Sequence, residues 1–342
     1  MAFNLTRRRF CLSLALGAGG AACYGLSRLG SGRKELASFS HTSTALGTKV
    51  EITALHSSQS QAAAGVKAAF AELEQVEEVM SLYRPHSQLC RLNREGVLRQ
   101  PHPYLVEVLT AAHELADKSG GKFDVTIQPL WKLHEAAAQH DRTPSAAEIA
   151  AAVELVDWRK LEVSTNLIRL NRFGMAVTLN GIAQGYAADR AKAALQQHSV
   201  KHALINTGEL TSLGSKATGQ PWRVGIQHPR EAEDFIALAD LDGRCLATSG
   251  DYATTFGNDC QRHHILDPDT GASAAGFASV SIAAPSGLLA DGLSTATFVL
   301  GPVEGERLVK QTPGTDLLGV LQNGRLLRTA GFPTSRDEEA GV

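Results

Sequence analysis

The amino-acid sequence predicts an α+β fold, in which amphipathic helices pack against sheets of short strands. Apolar residues recur at helical spacing over 66–80 and 105–115, which is typical of helices that bury one face. Short segments of alternating apolar residues, bounded by glycine, asparagine or proline, indicate strands and hairpins. With 43% apolar residues among 342, the chain can bury a sizeable core in one large or two ordinary domains.

The first 34 residues are predicted to be an export leader and linker. The string T-R-R-R-F-C-L at 6–12 and the short apolar run that follows are typical of a twin-arginine signal, which predicts a periplasmic protein. A membrane anchor is the alternative, but the apolar run is well short of the roughly 20 residues that span a bilayer. G-A-A-C at 20–23 resembles a lipoprotein cleavage box only loosely. A lipid anchor at Cys23, with membrane association, therefore stays an alternative.

Charge and cysteine content exclude several classes of protein. The net charge of −2 gives no basic footprint for nucleic acid. Beyond the leader, Cys90, Cys245 and Cys260 are an odd number without regular spacing, so no disulfide framework is indicated. Cys260 and His263 form at most half of a zinc motif, with no matching second half. No P-loop string occurs, which argues against a nucleoside-triphosphate motor.

The amino-terminal half of the mature chain is predicted to mix helices and short strands. In chain order, the predicted elements are a linker at 33–40, a strand at 49–55, helices at 66–80 and 105–115, a helix opened at 145, and a hairpin of 158–163 and 167–170. Gly120 and Gly121 end the second helix, because glycine tolerates the left-handed conformation that follows a helix. Ser145 and Glu148 form a capping box at the start of the third.

The carboxy-terminal half is predicted from the same signals. In chain order, it has a central strand at 175–179, a helix from 182, strands at 203–205, 222–226 and 277–284, a helix after 285, a hairpin of 316–322 and 325–328, and a frayed tail at 336–342. Asn323 and Gly324 supply the turn of the last hairpin. One domain over 35–335 would contain all these elements.

The segment 177–189, V-T-L-N-G-I-A-Q-G-Y-A-A-D, organises the prediction. Alternating residues up to Leu179 predict a strand, Gly181 and Gly185 interrupt the pattern, and helical spacing follows. Free amides at the start of a helix attract anions such as phosphate. A tight strand-to-helix turn without a ligand is the alternative, because such joints are common.

This segment resembles the core motif of the ApbE family, the FAD:protein FMN transferases. Further strings resemble that family in the same order: M-S-L-Y at 80–83, G-K-F-D-V-T-I-Q-P-L at 121–130, A-T-S-G-D-Y at 247–252 and H-I-L-D-P-D-T-G at 264–271. The resemblance implies an ApbE-like, T-fold-related α+β fold of mixed sheets packed with helices, forming a single catalytic unit after the export signal. The N-G-I-A-Q-G variant is most similar to NosX-type members, which are associated with nitrous oxide reduction.

The resemblance also implies an activity: Mg²⁺-dependent transfer of FMN from FAD to a threonine or serine of an acceptor flavoprotein domain. Residues at the FAD-binding positions would be Leu46, Tyr83, Lys122, Phe123, Asp124, Thr178, Gln184 and Leu266. Leu46 replaces the usual methionine, and Thr178 stands where many relatives carry aspartate. The string N-T-G-E at 206–209 departs from the family's N-x-G-G-D.

Three oxygen-bearing side chains suggest the metal site. Asp291, Ser294 and Thr295 are spaced i, i+3 and i+4, so a helix would place them on one face. Mg²⁺ takes one or two carboxylates, neutral oxygens and substrate phosphate. Alternatively, Asp291 caps the helix and the hydroxyls bond the backbone. The resemblance adds the carbonyl of Gly181 as a ligand, which requires two distant segments to be neighbours.

A histidine is the candidate base. His264 begins the H-I-L-D-P string, and the resemblance implies that it receives the proton of the acceptor hydroxyl. A packed imidazole, against Pro268 or bonded to Asp267, is the alternative, and His263 is a possible substitute as the base. Two rival functions remain open from the sequence: an Mg²⁺-dependent FAD pyrophosphatase and a flavin-binding accessory protein without turnover.

Overall fold

The computed structural model describes residues 36–231, 233–257 and 260–335. The predicted leader and linker at 1–34 and the predicted tail at 336–342 lie outside the described residues. The export signal and the lipid anchor at Cys23 therefore stay predictions. Within the described ranges, every helix is too short or too polar to span a bilayer.

The structure contains seven α-helices among its described residues. They are α1 (Gln59–Met80), α2 (Gln88–Glu95), α3 (Pro103–Lys118), α4 (Gln128–Ala138), α5 (Ala146–Val153), α6 (Ala183–Gln197) and α7 (Gly287–Gln311). The predicted capping box forms at Ser145 and Glu148 and opens α5. Helix α7 is interrupted at Gly301, which has a left-handed φ of 77°. The next residue is Pro302, which lacks the amide that a continuous helix would need.

The strands form three sheets. In chain order, they are β1 (Ala37–Ala45), β2 (Thr48–His56), β3 (Val97–Arg99), β4 (Leu161–Val163), β5 (Leu167–Leu170), β6 (His202–Asn206), β7 (Leu210–Leu213), β8 (Trp222–Gln227), β9 (Phe235–Leu241), β10 (Cys245–Gly250), β11 (Phe277–Ala284), β12 (Asp316–Leu321) and β13 (Leu326–Arg328). The main sheet has eight strands in the order β1-β2-β6-β7-β10-β11-β12-β13. The smaller sheets are β3-β5-β4 and β8-β9, and all these strand pairs are antiparallel.

The main sheet is covered on both faces, which confirms the α+β class. Helices α1, α6 and α7 pack side by side on one face, with α6 between the other two. A second apolar cluster contains Trp222, Val224 and Ile226 of β8 together with Leu204, Leu246 and Leu318 of the main sheet. The β8-β9 hairpin therefore covers the other face. The two apolar clusters lie on opposite faces of the same sheet. The described residues therefore form a single layered unit.

Two sequence predictions are wrong in detail. The linker predicted at 33–40 includes the start of β1, in which Ser40 pairs with Thr53. Strand β1 lies at the edge of the sheet and its side chains are mostly exposed, so it lacks the apolar alternation of a half-buried strand. The central strand at 175–179 does not form.

The segment 175–179 forms one isolated bridge, between Ala176 and Ile127, and otherwise bonds to partners outside any strand ladder. Asn93 bonds both backbone groups of Val177, with its Oδ1 2.7 Å from the amide nitrogen and its Nδ2 2.8 Å from the carbonyl oxygen. The amide of Thr178 donates to the carbonyl of Val125 over 2.8 Å. The apolar alternation arises because Val177 and its apolar neighbours are buried in the core.

Helices α6 and α7 cross with their backbones in contact. A Cβ atom added at Gly185 would lie 2.0 Å from the carbonyl oxygen of Gly287 and 2.7 Å from Cβ of Asp291. Both contacts involve atoms that cannot rotate away. This crossing fixes the first turn of α6 against the first turn of α7, which is where the candidate functional residues lie.

Substitution of Gly185 tests this crossing. Gly185→Ala is expected to destabilise the fold by about 3 kcal/mol, because overpacking forces the two helices apart. The unfolding midpoint in urea measures the loss. Gly219→Ala is the control, since its φ of 84° is left-handed but no atom lies within 4 Å of the added Cβ. It should lose only about 1 kcal/mol, from backbone strain alone. Equal losses in the two variants would contradict the close crossing.

Candidate active site between helices α6 and α7

The start of α7 is held by two side chains that precede the candidate metal ligands. Ser286 accepts a hydrogen bond from the amide of Leu289, as an N-cap does. The carboxylate of Asp189, on α6, accepts from the amides of Gly287 and Leu288 at 2.7 and 2.9 Å. Burial raises the pKa of Asp189, although these amide bonds favour its charged form. Asp291 is therefore not the cap of α7 that the alternative interpretation expected, although the Ser294 hydroxyl does bond the backbone, as that interpretation also expected.

The structure brings together the four residues predicted to bind the metal. Asp291 is 4% exposed, and its Oδ2 accepts from the amide of Gly185 over 3.0 Å. A Cβ added at Gly181 would lie 2.9 Å from Oγ1 of Thr295, so the turn at 181 lies directly against α7. Ser294 is fully buried, and its hydroxyl donates to the carbonyl of Asp291 over 2.8 Å. The two segments that the resemblance required to be neighbours are in contact.

Ser249 completes this group and was missed by the sequence analysis. Its Oγ lies 2.7 Å from Oγ of Ser294 and 3.2 Å from Oγ1 of Thr295. It is at the end of β10, within the A-T-S-G-D-Y string, which was the available signal. Because hydroxyl groups both donate and accept, Ser249 can orient the hydroxyl of Thr295.

The donor set fits a hard divalent cation. One carboxylate, neighbouring hydroxyls and a glycine carbonyl are the ligands that Mg²⁺ takes when substrate phosphates complete its shell. No cluster of three or more histidine, cysteine, aspartate or glutamate side chains occurs in the part of the chain that the structure describes. A transition-metal site of that kind is therefore absent from those ranges, whereas the mixed oxygen set remains suitable for magnesium.

The structure distinguishes the two candidate histidines. His263 is buried, its Nε2 donates to the carbonyl of Ala274 over 3.0 Å, and its Nδ1 accepts from the amide of Ile265 over 3.3 Å. Burial lowers the pKa of His263, so it stays neutral within the core. His264 is half-buried, and its Nδ1 lies 3.1 Å from the carbonyl oxygen of Thr254. Since a carbonyl only accepts, Nδ1 carries the proton in a neutral ring, and Nε2 is then the acceptor nitrogen.

The side chains of residues 122–124 bond to or pack against other residues of the chain. Lys122 forms an ion pair with Asp267, at 2.8 Å. Phe123 is buried in the main core. The carboxylate of Asp124 accepts from the amide and hydroxyl of Thr126 and from the amide of Trp158. Burial raises the pKa of Asp124 against the effect of these bonds. A flavin would therefore meet mainly the backbone of this segment.

The predicted flavin-contacting residues lie in different environments. Leu46 is at the tip of the β1-β2 turn, where its φ of 54° and the φ of 73° at Gly47 form a two-residue hairpin loop. Tyr83 is 73% exposed, in the connection between α1 and α2. Leu266 is instead buried in a small apolar cluster with Leu130. Of these three residues, Leu46 and Tyr83 have side chains that a ligand could reach.

Gln184 and the N-T-G-E string at 206–209, which departs from the family pattern, are neighbours in the fold. Gln184 is buried, and its Nε2 donates to the carbonyl of Thr207 over 3.2 Å. A Cβ added at Gly208 would lie 2.9 Å from that same nitrogen. Thr178 accepts from the amide of Asn180 through its hydroxyl, at 3.3 Å. Gln184 and the N-T-G-E turn at 206–209 therefore form one local unit beside the first turn of α6.

Comparison with known proteins identifies the family. The ApbE family model matches residues 46–318, which include the turn at 181, the His264 string and helix α7. This chain belongs to the ApbE family. The resemblance read from the motifs is confirmed, and so is the predicted fold class.

Related ApbE proteins cover most of the chain. A FAD:protein FMN transferase of Klebsiella pneumoniae is 30% identical over 279 residues, covering 78% of this chain and 79% of the relative. One of Treponema pallidum is 31% identical over 329 residues, covering 88% and 89%. The ApbE structure of Thermotoga maritima superposes with a TM-score of 0.78 at 30% identity, covering 86% of this chain and 97% of that one. The apo structure of the Pseudomonas stutzeri flavinyl transferase ApbE superposes with a TM-score of 0.75 at 29% identity, covering 89% of this chain and 96% of that one.

Cys245 of this ApbE protein is buried beside Asp189 and Thr211, and we expect it to be inert. Burial raises the pKa of Cys245 to about 12, and its thiol donates to Thr211 Oγ1 over 3.0 Å. At pH 8 almost no thiolate forms, so alkylation by iodoacetamide should be slow until the protein unfolds. Cys90 and Cys260, which are partly exposed, are the internal controls. Peptide mass spectrometry after labelling, with and without urea, measures the difference. Labelling of Cys245 as fast as Cys260 in the folded protein would contradict this packing.

Proposed function

We propose that this ApbE-family enzyme transfers FMN from FAD to a serine or threonine hydroxyl of a partner protein. The contact between the turn at Gly181 and the Asp291 face of α7 carries the proposal, because it forms the oxygen-rich site that a pyrophosphate needs. Relatives about 30% identical over most of the chain are named FAD:protein FMN transferases. The enzyme class follows from the family, and the acceptor and the metal are part of the proposal.

The reaction exchanges one bond to phosphorus for another. The acceptor oxygen attacks the FMN-side phosphorus of FAD, and the new phosphoester bond forms as the bond to the bridging oxygen breaks. AMP leaves with that oxygen, and the acceptor's proton is released. Catalysis of this kind is mostly positioning and neutralisation of phosphate charge.

The oxygen site would hold magnesium. Asp291, Ser294, Thr295 and the carbonyl of Gly181 are the residues that would bind or orient the ion, and Ser249 would position the hydroxyls. When bound, Mg²⁺ supplies positive charge next to the pyrophosphate oxygens. The hydrogen bond from the Gly185 amide orients the Asp291 carboxylate, while Asp189 separately stabilises the first turn of α7.

His264 would receive the acceptor's proton at Nε2. Its Nδ1–H donates to Thr254, which fixes the ring in the tautomer that a base requires. Thr254 follows Ser249 by five residues. The short segment 249–254 therefore contacts the oxygen site through Ser249 and His264 through Thr254. That segment spans at most roughly 18 Å even if fully extended.

The cellular context rests on the sequence alone. The T-R-R-R-F-C-L leader supports export to the periplasm by the twin-arginine route. The N-G-I-A-Q-G variant supports a role in denitrification, with a membrane-bound flavoprotein that serves nitrous oxide reductase as the acceptor. A lipid anchor at Cys23 would keep the enzyme beside such a partner.

The test mixes the mature protein with FAD, Mg²⁺ and a candidate acceptor domain, and measures the intact mass of the acceptor. We expect one FMN group per acceptor and one AMP per FMN transferred. An acceptor that gains no mass, while an authentic family enzyme modifies it in parallel, would overturn the proposal. AMP and free FMN released at a rate independent of the acceptor would favour a pyrophosphatase. FAD retained for hours without AMP would favour an accessory role.

A further inference from the structure

Lys122 connects two segments that the chain separates by 145 residues. Its Nζ lies 2.8 and 2.9 Å from the two carboxylate oxygens of Asp267, and 2.9 Å from Oδ2 of Asp269. The side chains of Lys122 and Asp267 are 24% and 20% exposed, whereas that of Asp269 is 71% exposed. The Asp267 contact is therefore the shielded one, and the Asp269 contact lies in solvent.

Asp267 belongs to the element that carries the candidate base. We call residues 263–274 the His264 hairpin. Its two arms are joined by the Asp267 amide to the Ala272 carbonyl, at 2.8 Å, and the Ala274 amide to the Ile265 carbonyl, at 2.9 Å. Asp267 also accepts from the amide of Asp269, which makes its carboxylate part of the turn. A shift of the Asp267 carboxylate would therefore move the whole hairpin.

Lys122 belongs to the segment that contacts the core motif. In residues 121–127, the carbonyl of Val125 accepts from the amide of Thr178, and Ile127 forms an isolated bridge with Ala176. The chain continues from Thr178 to the turn at Gly181, next to α7. Lys122 is thus the shielded ionic link between the side that holds the pyrophosphate site and the hairpin that carries the base.

We propose that Lys122 is a positioning residue, whose ion pair with Asp267 fixes the His264 hairpin relative to the 121–127 segment. The inference rests on the proposed transfer reaction, since it assigns His264 a place beside the acceptor hydroxyl. Displacement of a catalytic base by about 1 Å lowers the reaction rate substantially. Loss of the Lys122–Asp267 ion pair should therefore lower kcat and leave FAD binding nearly unchanged. Burial opposes the charge of Lys122, but the two carboxylates outweigh it and raise its pKa, so the ammonium is retained.

The test compares Lys122→Met, Lys122→Arg and Asp269→Asn with the wild-type protein. Methionine keeps the apolar stem and removes the charge. We expect kcat for AMP release to fall about 30-fold, with KM for FAD changed less than about threefold. Arginine should restore most of kcat, because it can pair with the same carboxylate. Asp269→Asn is the matched control, since its partner contact is exposed, and it should keep the wild-type kcat.

Hydrogen–deuterium exchange of peptides from 263–274 provides a readout independent of turnover. Exchange in the hairpin should be about tenfold faster in Lys122→Met and unchanged in Asp269→Asn. Wild-type exchange in Lys122→Met, an unchanged kcat, or a loss confined to KM would each overturn the proposal. A fall in the urea midpoint without the kcat effect would show only a stabilising contact. Failure of the wild-type protein to transfer FMN would instead reject the proposed function, and the exchange data would still decide whether Lys122 fixes the hairpin.

Discussion

Replacement of Asp291 by asparagine is expected to lower kcat/KM for Mg²⁺-dependent AMP release about 10³-fold. Asp291 supplies the carboxylate of the candidate metal site, and loss of one preorganised charge beside a reacting phosphate has effects of this size. Asparagine has the same shape, and its oxygen can still accept from the amide of Gly185. The variant should therefore fold while losing metal affinity. AMP release at a series of Mg²⁺ concentrations, together with Mn²⁺ binding measured by electron paramagnetic resonance, tests both parts.

Asp189 provides the matched control for this prediction. Asp189 is a half-buried aspartate at the same helix crossing, and its carboxylate accepts from the amides of Gly287 and Leu288 at the start of α7. Asp189→Asn should lower the unfolding midpoint and leave the Mg²⁺ concentration for half-maximal activity unchanged. Ordinary activity and an ordinary Mg²⁺ requirement in Asp291→Asn would place the metal elsewhere.

Replacement of His264 by alanine is expected to lower kcat for FMN transfer by about 10²- to 10³-fold. Loss of a positioned general base has effects in this range. The Nδ1–H bond to Thr254 holds the ring so that Nε2 is the proton acceptor, and alanine removes both. KM for FAD should change little, because the ring is proposed to act on the acceptor hydroxyl. Imidazole added to the assay should restore part of the rate if the missing group is a base.

His263 distinguishes this role from packing. It lies next to His264, but both of its ring nitrogens are bonded inside the core and its ring packs edge-on against Phe298, with the ring centroids 5.6 Å apart. His263→Gln should destabilise the protein while the folded fraction keeps its kcat. The assignment of the base would be reversed by a large loss of kcat in folded His263→Gln and none in His264→Ala.

Local sequence signals were sufficient for most elements of the fold. The apolar faces of α1 and α3, the capping box of α5 and the Asn323-Gly324 hairpin all formed where residue chemistry predicted them, because short-range preferences decide these elements. The signals did not predict α2, α4, β3, β7, β9 or β10, and they gave wrong predictions at two places where the environment is unusual. The edge strand β1 has exposed polar side chains, and the segment around Val177 is bonded by the Asn93 side chain instead of a neighbouring strand.

The sequence by itself determined the family, five of the seven helices in the described ranges and the positions of the motifs, since these depend on residue identity and on neighbours a few positions away. Only the tertiary structure decided which groups meet. It placed Gly181 against Thr295 and bonded Gly185 to Asp291. It also buried His263 in the core and paired Lys122 with Asp267. Contacts across 100 residues or more depend on how helices and sheets pack, and no local pattern specifies the distance between two such atoms.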